Sequence, residues 1–206
     1  IQTSKLDNPL RIVVVADFQA DAIGPYERRV IETAAAEKPD LLLFLGDYLQ
    51  SPVKPKEELH ETFREIWTGA GPKPPFGTFA VRGNCDRADW AALFDGLDVR
   101  TVSRTESVVV GPIRLTCLGM EDSFNHEIVL QRPDDDSRFH VVAGHCANYM
   151  LGDIPGDLML AGHSHGGQFQ IPFFGPPLTL SVAPRRWCAG ILSRREDGAW
   201  VRVSRG

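Results

Sequence analysis

With 206 residues, 43% of them hydrophobic and 24% charged, the chain has the size and composition of a single globular domain, and intrinsic disorder does not fit it. The 22 Lys and Arg against 27 Asp and Glu leave a net charge of −5. That balance carries no nucleic-acid footprint, and it means that a phosphate-bearing ligand needs metal ions or a few placed arginines. No apolar run approaches the ~20 residues of a transmembrane segment.

In chain order, RIVVVAD (11–17) is the first near-continuous apolar run, about the length of a strand buried on both faces. PYERRVIETAAAEKP (25–39) predicts a helix, with Pro25 near its start and Pro39 just past its end. LLLFLGD (41–47) predicts the second buried strand, KPKEELHETFREIWTGAG (54–71) a second helix closed by glycines, and GTFAVRGN (77–84) a third strand. RADWAALFDGL (87–97) predicts a short third helix. Strand and helix in alternation is the grammar of a parallel α/β sheet.

After this the pattern changes. VRTVSRTESVVVGPIRLTCLG (99–119) reads as short strands with tight turns, and the charge run DDDSR (134–138) as a solvated loop. FHVVAGH (139–145) and DLMLAGH (157–163) are two more buried strands. In WCAGILSRREDGAWVRVSRG (187–206), Glu-Asp-Gly makes a hairpin turn between alternating strands. A second sheet packed on the first is the economical reading, in one domain over 1–206 without linker or repeat. Cys85, Cys117, Cys146 and Cys188 form no C-x-x-C pair. They read as buried thiols, with a disulfide between two of them left open.

The five buried runs share one feature. Each ends in a residue able to bind a metal: Asp17, Asp47, Asn84, His145 and His163, with His165 two residues further. Gly precedes four of these donors and Ala16 the first, so the backbones can crowd together. Ligands of open α/β sheets bind outside the carboxyl ends of the strands, where such donors would meet. Asp and Asn also favour strand-terminal turns for their own sake, which explains any one position but not five with two histidines among them. Carboxylates, an amide and imidazoles suit Mn²⁺, Fe or Zn²⁺ without selecting one. So many donors exceed the needs of one catalytic ion that keeps an open position, and suit two ions bridged by a shared carboxylate.

Asp17-Phe18-Gln19, Gly46-Asp47, Gly83-Asn84-Cys85-Asp86, Gly144-His145 and Gly162-His163-Ser164-His165 resemble, in order and spacing, the motif series of the calcineurin-like metallophosphoesterases. GHSHGGQ (162–168), followed by Ile171-Pro172, is similar to a bacterial branch that includes hydrolases resembling those acting on UDP-2,3-diacylglucosamine. The resemblance implies an α/β fold, an αββα sandwich of two mixed β-sheets flanked by helices. It also implies two divalent metal ions, Mn²⁺ first, with Fe, Zn²⁺ or Mg²⁺ as alternatives. Metal one would take Asp17, Gln19, Asp47 and His165. Metal two would take Asp47, Asn84, His145 and His163, with Asp47 bridging. Asp47, Asn84 and His145 would then stand at the catalytic centre of a phosphoesterase acting on phosphodiester or pyrophosphate bonds, with a hydroxide between the ions as nucleophile. The substrate would be a phosphate ester, nucleotide- or lipid-linked. The alternative is a degenerate, non-catalytic member of the fold that serves as a binding or scaffolding module.

Two departures from the family pattern keep that alternative open. Gln19 stands where the family usually has His, so metal one is expected to be more oxygen-rich or weakly held, with Gln19 either a ligand or behind a water. Cys85 stands where many members have a His that assists the leaving group. It is expected to be a small buried residue rather than an acid. Asp86 is read as orienting its neighbours or capping a helix at 87. His60 and His126 are expected at the surface. Arg82 and Arg87 are expected either to reach substrate phosphate or to pair with surface carboxylates. FFGPP (173–177) and NYMLGDIP (148–155) are expected to flank the site and shape an apolar acceptor region. The chain begins with Ile, so removal of an N-terminal segment is expected, and it stops at VRVSRG (201–206), where similar sequences continue, which reads either as truncation there too or as a short member. A location in the cytoplasm or peripheral to a membrane is the corresponding expectation.

Overall fold

The computed structural model describes residues 1–50, 56–134, 137–167, 179–188 and 190–206. FFGPP (173–177) and Gln168 lie outside the described residues, as do two positions of the DDDSR run.

The first half builds a four-stranded sheet of β1 (Ile12–Val15), β2 (Leu41–Phe44), β3 (Thr78–Val81) and β4 (Arg100–Val102), in that order and parallel throughout. It is parallel because each pair of strands is joined by a crossover long enough to return the chain to the same end. The first crossover carries α1 (Pro25–Ala36) and the second α2 (Lys56–Ala70). Pro25 opens α1 where its missing N–H costs nothing, and the Glu27 carboxylate accepts the Gly24 N–H at 2.8 Å. Lys38, with φ of 48°, ends it ahead of Pro39.

The third crossover departs from expectation. Instead of a helix over 87–97 there is one 3-10 turn, Trp90–Phe94. Trp90, Leu93 and Phe94 all point into the core, so this short turn already buries three of the segment's four large apolar side chains, with Leu97 partly buried just beyond it. Gly96, at φ of 78°, then turns the chain away.

The second sheet has the order β5-β6-β7-β8-β10-β9. Its strands are β5 (Glu106–Val110), β6 (Ile113–Cys117), β7 (Phe139–Ala143), β8 (Leu158–Ala161), β9 (Ser193–Arg194) and β10 (Trp200–Val203). It is mixed because β5–β6 and β9–β10 are hairpins, whereas β6, β7, β8 and β10 pair in parallel. Two short helices, α3 (Met120–Phe124) and α4 (Arg185–Cys188), belong to this half.

Three apolar layers hold the sandwich. The inter-sheet layer contains Leu41, Leu43, Val81, Leu115 and Val141. The layer under α1 and α2 contains Ile31, Phe44, Phe63 and Trp67. The third, on the far face of the second sheet, contains Tyr149, Met150, Met159, Trp187 and Val201. Alternate residues of the strands feed opposite layers, as Leu43 and Phe44 do, which is the αββα arrangement.

One sequence expectation is corrected here, and one alternative is closed. His60 is not at the surface: it is 7% exposed, on the buried face of α2 with Phe63 and Trp67 one and two turns on. His126 is exposed as expected. All four cysteines are free thiols, so no disulfide joins them.

Phe44 is the hub of the outer layer. Its ring lies 5.6 Å from Trp67, 5.7 Å from Phe94, 6.2 Å from Tyr48 and 6.5 Å from Phe63, and the residue is fully buried. Phe44→Ala is expected to destabilise the fold by about 3–5 kcal/mol, measured as a fall in the urea midpoint without a change in m-value.

Candidate metal centre

Asp17, His145 and His163 each stand two residues beyond the last residue of β1, β7 and β8, and Asp47 and Asn84 three beyond β2 and β3. The strands are parallel neighbours within their sheets, so all five loops leave from the same edge and meet there. His165 follows in a 3-10 turn, His165–Gly167.

This convergence needs small residues. A Cβ on Gly46 would lie 2.5 Å from Gly83 N and 2.8 Å from His145 Nδ1, and one on Gly83 would lie 2.1 Å from Asp47 Oδ1. The loops also hold their donors in an uncommon conformation. Of the seven non-glycine residues with positive φ among the described residues, five are Asp17, Gln19, Asp47, His163 and His165. Left-handed backbone at such residues is strained, and it concentrates where structure serves a site.

The ligand-type atoms fall into two groups that share a member. Asp47, His145 and His163 offer atoms within 4.8 Å of one another, and so do Asp17, Asp47 and His165. Asp47 and His145 form the floor, at 1% and 0% exposure, with Asp17 also buried. His163 and His165 are half-buried and Asn84 is exposed, so the site opens on their side. Asn84 Oδ1 lies 2.9 Å from His145 Nε2, which joins it to the first group. Gln19 stands beside the shared carboxylate, its Nε2 donating to Asp47 Oδ2 at 3.3 Å. It is thus the amide nitrogen, not the oxygen, that meets Asp47.

Each donor is oriented from behind. His145 Nδ1 donates to the Leu45 carbonyl at 2.7 Å, which leaves Nε2 to face the site. Nε2 then confronts Asn84 Oδ1 and, at 3.4 Å, Asp47 Oδ2. With Nδ1 committed as the donor, these are converging acceptor atoms, an arrangement that fits a cation. The Asp17 carboxylate accepts the His163 N–H at 3.0 Å on both oxygens, tying the β1 loop to the β8 loop. Phe124 from α3 meets the His163 ring edge-on at 4.9 Å and forms an apolar wall.

The electrostatics are those of the protonated His145 ring, whose Nε2–H takes the place a cation would hold between these acceptors. Burial opposes the charge on Asp47, but the hydrogen bond and charge of His145, with the Cys85 N–H, overcome it and hold the carboxyl at about 2. Burial likewise disfavours the imidazolium of His145, yet Asp47 raises its pKa above the usual value. Asp17 is raised, chiefly by burial, and His163 is lowered by burial and by the neighbouring His145. Two carboxylates therefore share the floor of the site, only one of them well compensated.

Residues read only loosely from the sequence take definite places. Cys85 is not buried: it is half-exposed at the mouth, with Sγ 3.7 Å from Gln19 Nε2 and its backbone N–H donating to Asp47 Oδ1 at 2.8 Å. Burial, then the Asp47 charge, push its thiol up to about 11. Asp86 caps no helix; it receives the N–H groups of Asp47, Tyr48 and Gly83 at 2.8, 2.7 and 2.8 Å. Arg82 turns to the Asp86 main-chain oxygen, at 2.9 and 3.1 Å, rather than towards a substrate, while Arg87 is exposed. The 148–155 segment turns largely inward: Tyr149 and Met150 are buried. Asn148 accepts from Ser181 Oγ and Val182 N, bracing the 179–183 stretch whose Leu180 carbonyl lies 3.2 Å from His163 Nε2. The parts that sequence reading missed, Phe124 and the Leu45 and Leu180 carbonyls, carry no local signal, because they act through placement alone.

Comparison with known proteins agrees with this architecture. A family profile described as calcineurin-like phosphoesterase matches residues 10–167, well over half of the chain. An uncharacterized metallophosphoesterase of Bacillus subtilis, YkuE, is 28% identical over 172 residues, which cover 74% of this chain and 56% of that protein. The Escherichia coli phosphodiesterase YaeI is 26% identical over 211 residues, covering 89% of this chain and 70% of that protein. An uncharacterized metallophosphoesterase of Aquifex aeolicus is 28% identical over 189 residues, covering 81% and 68%. The chain thus spans only a little over half the length of the Bacillus relative. With the strand-end donors at one edge and the profile running through all of them, the chain belongs to the calcineurin-like phosphoesterase family.

Proposed function

We propose that the chain is a metal-dependent phosphoesterase that holds two divalent cations and hydrolyses phosphodiester or pyrophosphate bonds. The observation that carries this reading is the sharing of Asp47 between two groups of ligand-type atoms. Asp17 and His165 join it in one group and His145 and His163 in the other, with Asn84 beside His145 and Gln19 beside Asp47 itself. Carboxylate, amide and imidazole donors suit Mn²⁺, Fe or Zn²⁺, and a neutral amide at position 19 tilts the first site towards oxygen-preferring ions such as Mn²⁺. A pair of such cations supplies hydroxide at neutral pH and offsets the charge on a phosphoryl group.

The chain's own residues do the rest. Asn84 is exposed at the mouth, and in this reading its amide meets an incoming phosphoryl oxygen. Phe124 walls the site on the His163 side. Cys85 keeps its proton at neutral pH and is a weak acid, a poor partner for a leaving group that must be protonated as it departs. That favours substrates whose leaving group is stable as an anion, and the E. coli relative's name, phosphodiesterase, supports the same bond type. A non-catalytic module is the weaker reading, since it offers no reason to hold five donors in left-handed backbone.

Protein equilibrated with Mn²⁺ and desalted is expected to carry two ions per chain by mass spectrometry, and Asp47→Ala to lose both. The same variant should lower Mn²⁺-dependent hydrolysis of bis(p-nitrophenyl) phosphate by roughly 100-fold or more. Wild-type protein that retains no metal would sink the reading. Gln19→His is expected to tighten Zn²⁺ binding relative to Mn²⁺, read by competition titration.

A third outcome concerns Cys85. In metal-free protein its alkylation by iodoacetamide should be slow at pH 8 and rise about tenfold per pH unit until near pH 11, because the thiolate is the nucleophile. A rate that levels off below pH 9 would contradict the environment described for it.

A further inference from the structure

We infer that Asp86 is the positioning residue of this site: its carboxylate sets the distance between the shared donor Asp47 and Asn84, and so the metal affinity of the whole centre. The inference rests on the metal-binding reading above. Asp86 offers the site no ligand atom of its own; both its oxygens are turned backwards into the protein. Oδ2 accepts the N–H of Asp47 and of Gly83 at 2.8 Å each, and Oδ1 accepts the N–H of Tyr48 at 2.7 Å. One side chain, 5% exposed, therefore ties the loop after β2 to the loop after β3. These are charge-assisted bonds in a water-poor place, stiffer than neutral ones.

The rest of the local structure has the same direction. Asp47 stands at φ of 59°, in the left-handed region that is costly for a residue with a side chain, and its N–H is one that Asp86 receives. The Gly83 N–H is fixed where a side chain on either Gly46 or Gly83 would collide with the opposite loop. Arg82 closes the 82–86 turn by donating twice to the Asp86 carbonyl, which leaves Asn84 and Cys85 at its tip. Tyr48, whose N–H completes the set, is anchored below through its hydroxyl to the Val81 carbonyl at 2.6 Å. The first and last residues of the clasp thus reach the ends of β2 and β3. Of the other side-chain ties across the site, Cys85 N–H and Gln19 to Asp47, Leu45 to His145 and Asp17 to His163 each involve a candidate ligand's own ring or carboxylate, and further ties such as Gln19 N–H to the Asp47 carbonyl join backbone to backbone. Asp86 alone among these can be altered without touching a donor.

The test is Mn²⁺ titration of wild type, Asp86→Asn and Asp86→Glu, each well below its own metal-free unfolding midpoint, with the free ion followed by electron paramagnetic resonance. Asp86→Asn keeps shape but puts an amide NH₂ against a backbone N–H. It is expected to raise the Mn²⁺ dissociation constant about 10–100-fold while the far-ultraviolet spectrum stays that of wild type. Asp86→Glu, with the charge kept and the reach altered, should fall between the two. Unchanged Mn²⁺ affinity in Asp86→Asn, with only a lower midpoint, would show a purely structural role and overturn the inference while leaving the proposed function intact. Wild type without Mn²⁺ binding would sink both. Should both variants fail to fold, hydrogen exchange of metal-free wild type decides: the Asp47, Tyr48 and Gly83 amides are expected to be protected at least 100-fold. Exchange at free-peptide rates at those three positions would overturn the clasp.

Discussion

Everything at the functional edge depends on the loops after β2 and β3 touching backbone to backbone. Gly46 and Gly83 stand so close that no side chain fits on either, and the carboxylate of Asp47 lies in the gap. Only because of that contact can a donor from the β2 loop be shared between one group with Asp17 and His165 and another with His145 and His163. The contact also explains the buried Asp86, since three N–H groups brought together in a dry place must have an acceptor.

Such an edge is expensive to assemble. It places two carboxylates and an imidazole out of water, with five non-glycine residues in left-handed backbone. The three apolar layers beneath carry that load. The Phe44 cluster fixes β2 against α2 and the Trp90–Phe94 turn, and so fixes where Asp47 emerges three residues later. On the other half, Tyr149 bonds the carbonyls of Val142 and Leu160 at 3.0 and 2.8 Å, clamping β7 and β8 just before they deliver His145 and His163. Core and site are thus one construction, with rigidity passed along each strand to the residue at its tip.

Much of this was legible in the chain itself. Five apolar runs capped by donors announced five strands, and the small residue before each donor announced close packing. Both hold, and the first sheet is wholly parallel, as the alternation of strand and helix implies, where the family resemblance alone implied a mixed one. The segment 87–97 was less legible, because three large apolar side chains within five residues suit a helix and a single 3-10 turn equally well. His60 reads as a surface residue because Glu57, Glu58 and Glu61 surround it in sequence, while its neighbours along the helix face are Phe63 and Trp67. Cys85 was misjudged for a related reason: cysteines are usually buried, and only the turn of the 82–86 loop carries this one to the mouth.

By itself the sequence determined the fold class, the identity of the strand-end donors and their order along the chain, since periodicity and the residue at each strand tip are local properties. The tertiary structure alone decided that Asp47 stands between two groups of ligand-type atoms, that Gln19 turns its amide nitrogen to that carboxylate, and that Asp86 faces inward to clasp two loops. Those are relations between residues tens of positions apart, fixed by which loop abuts which, and no window of sequence contains them.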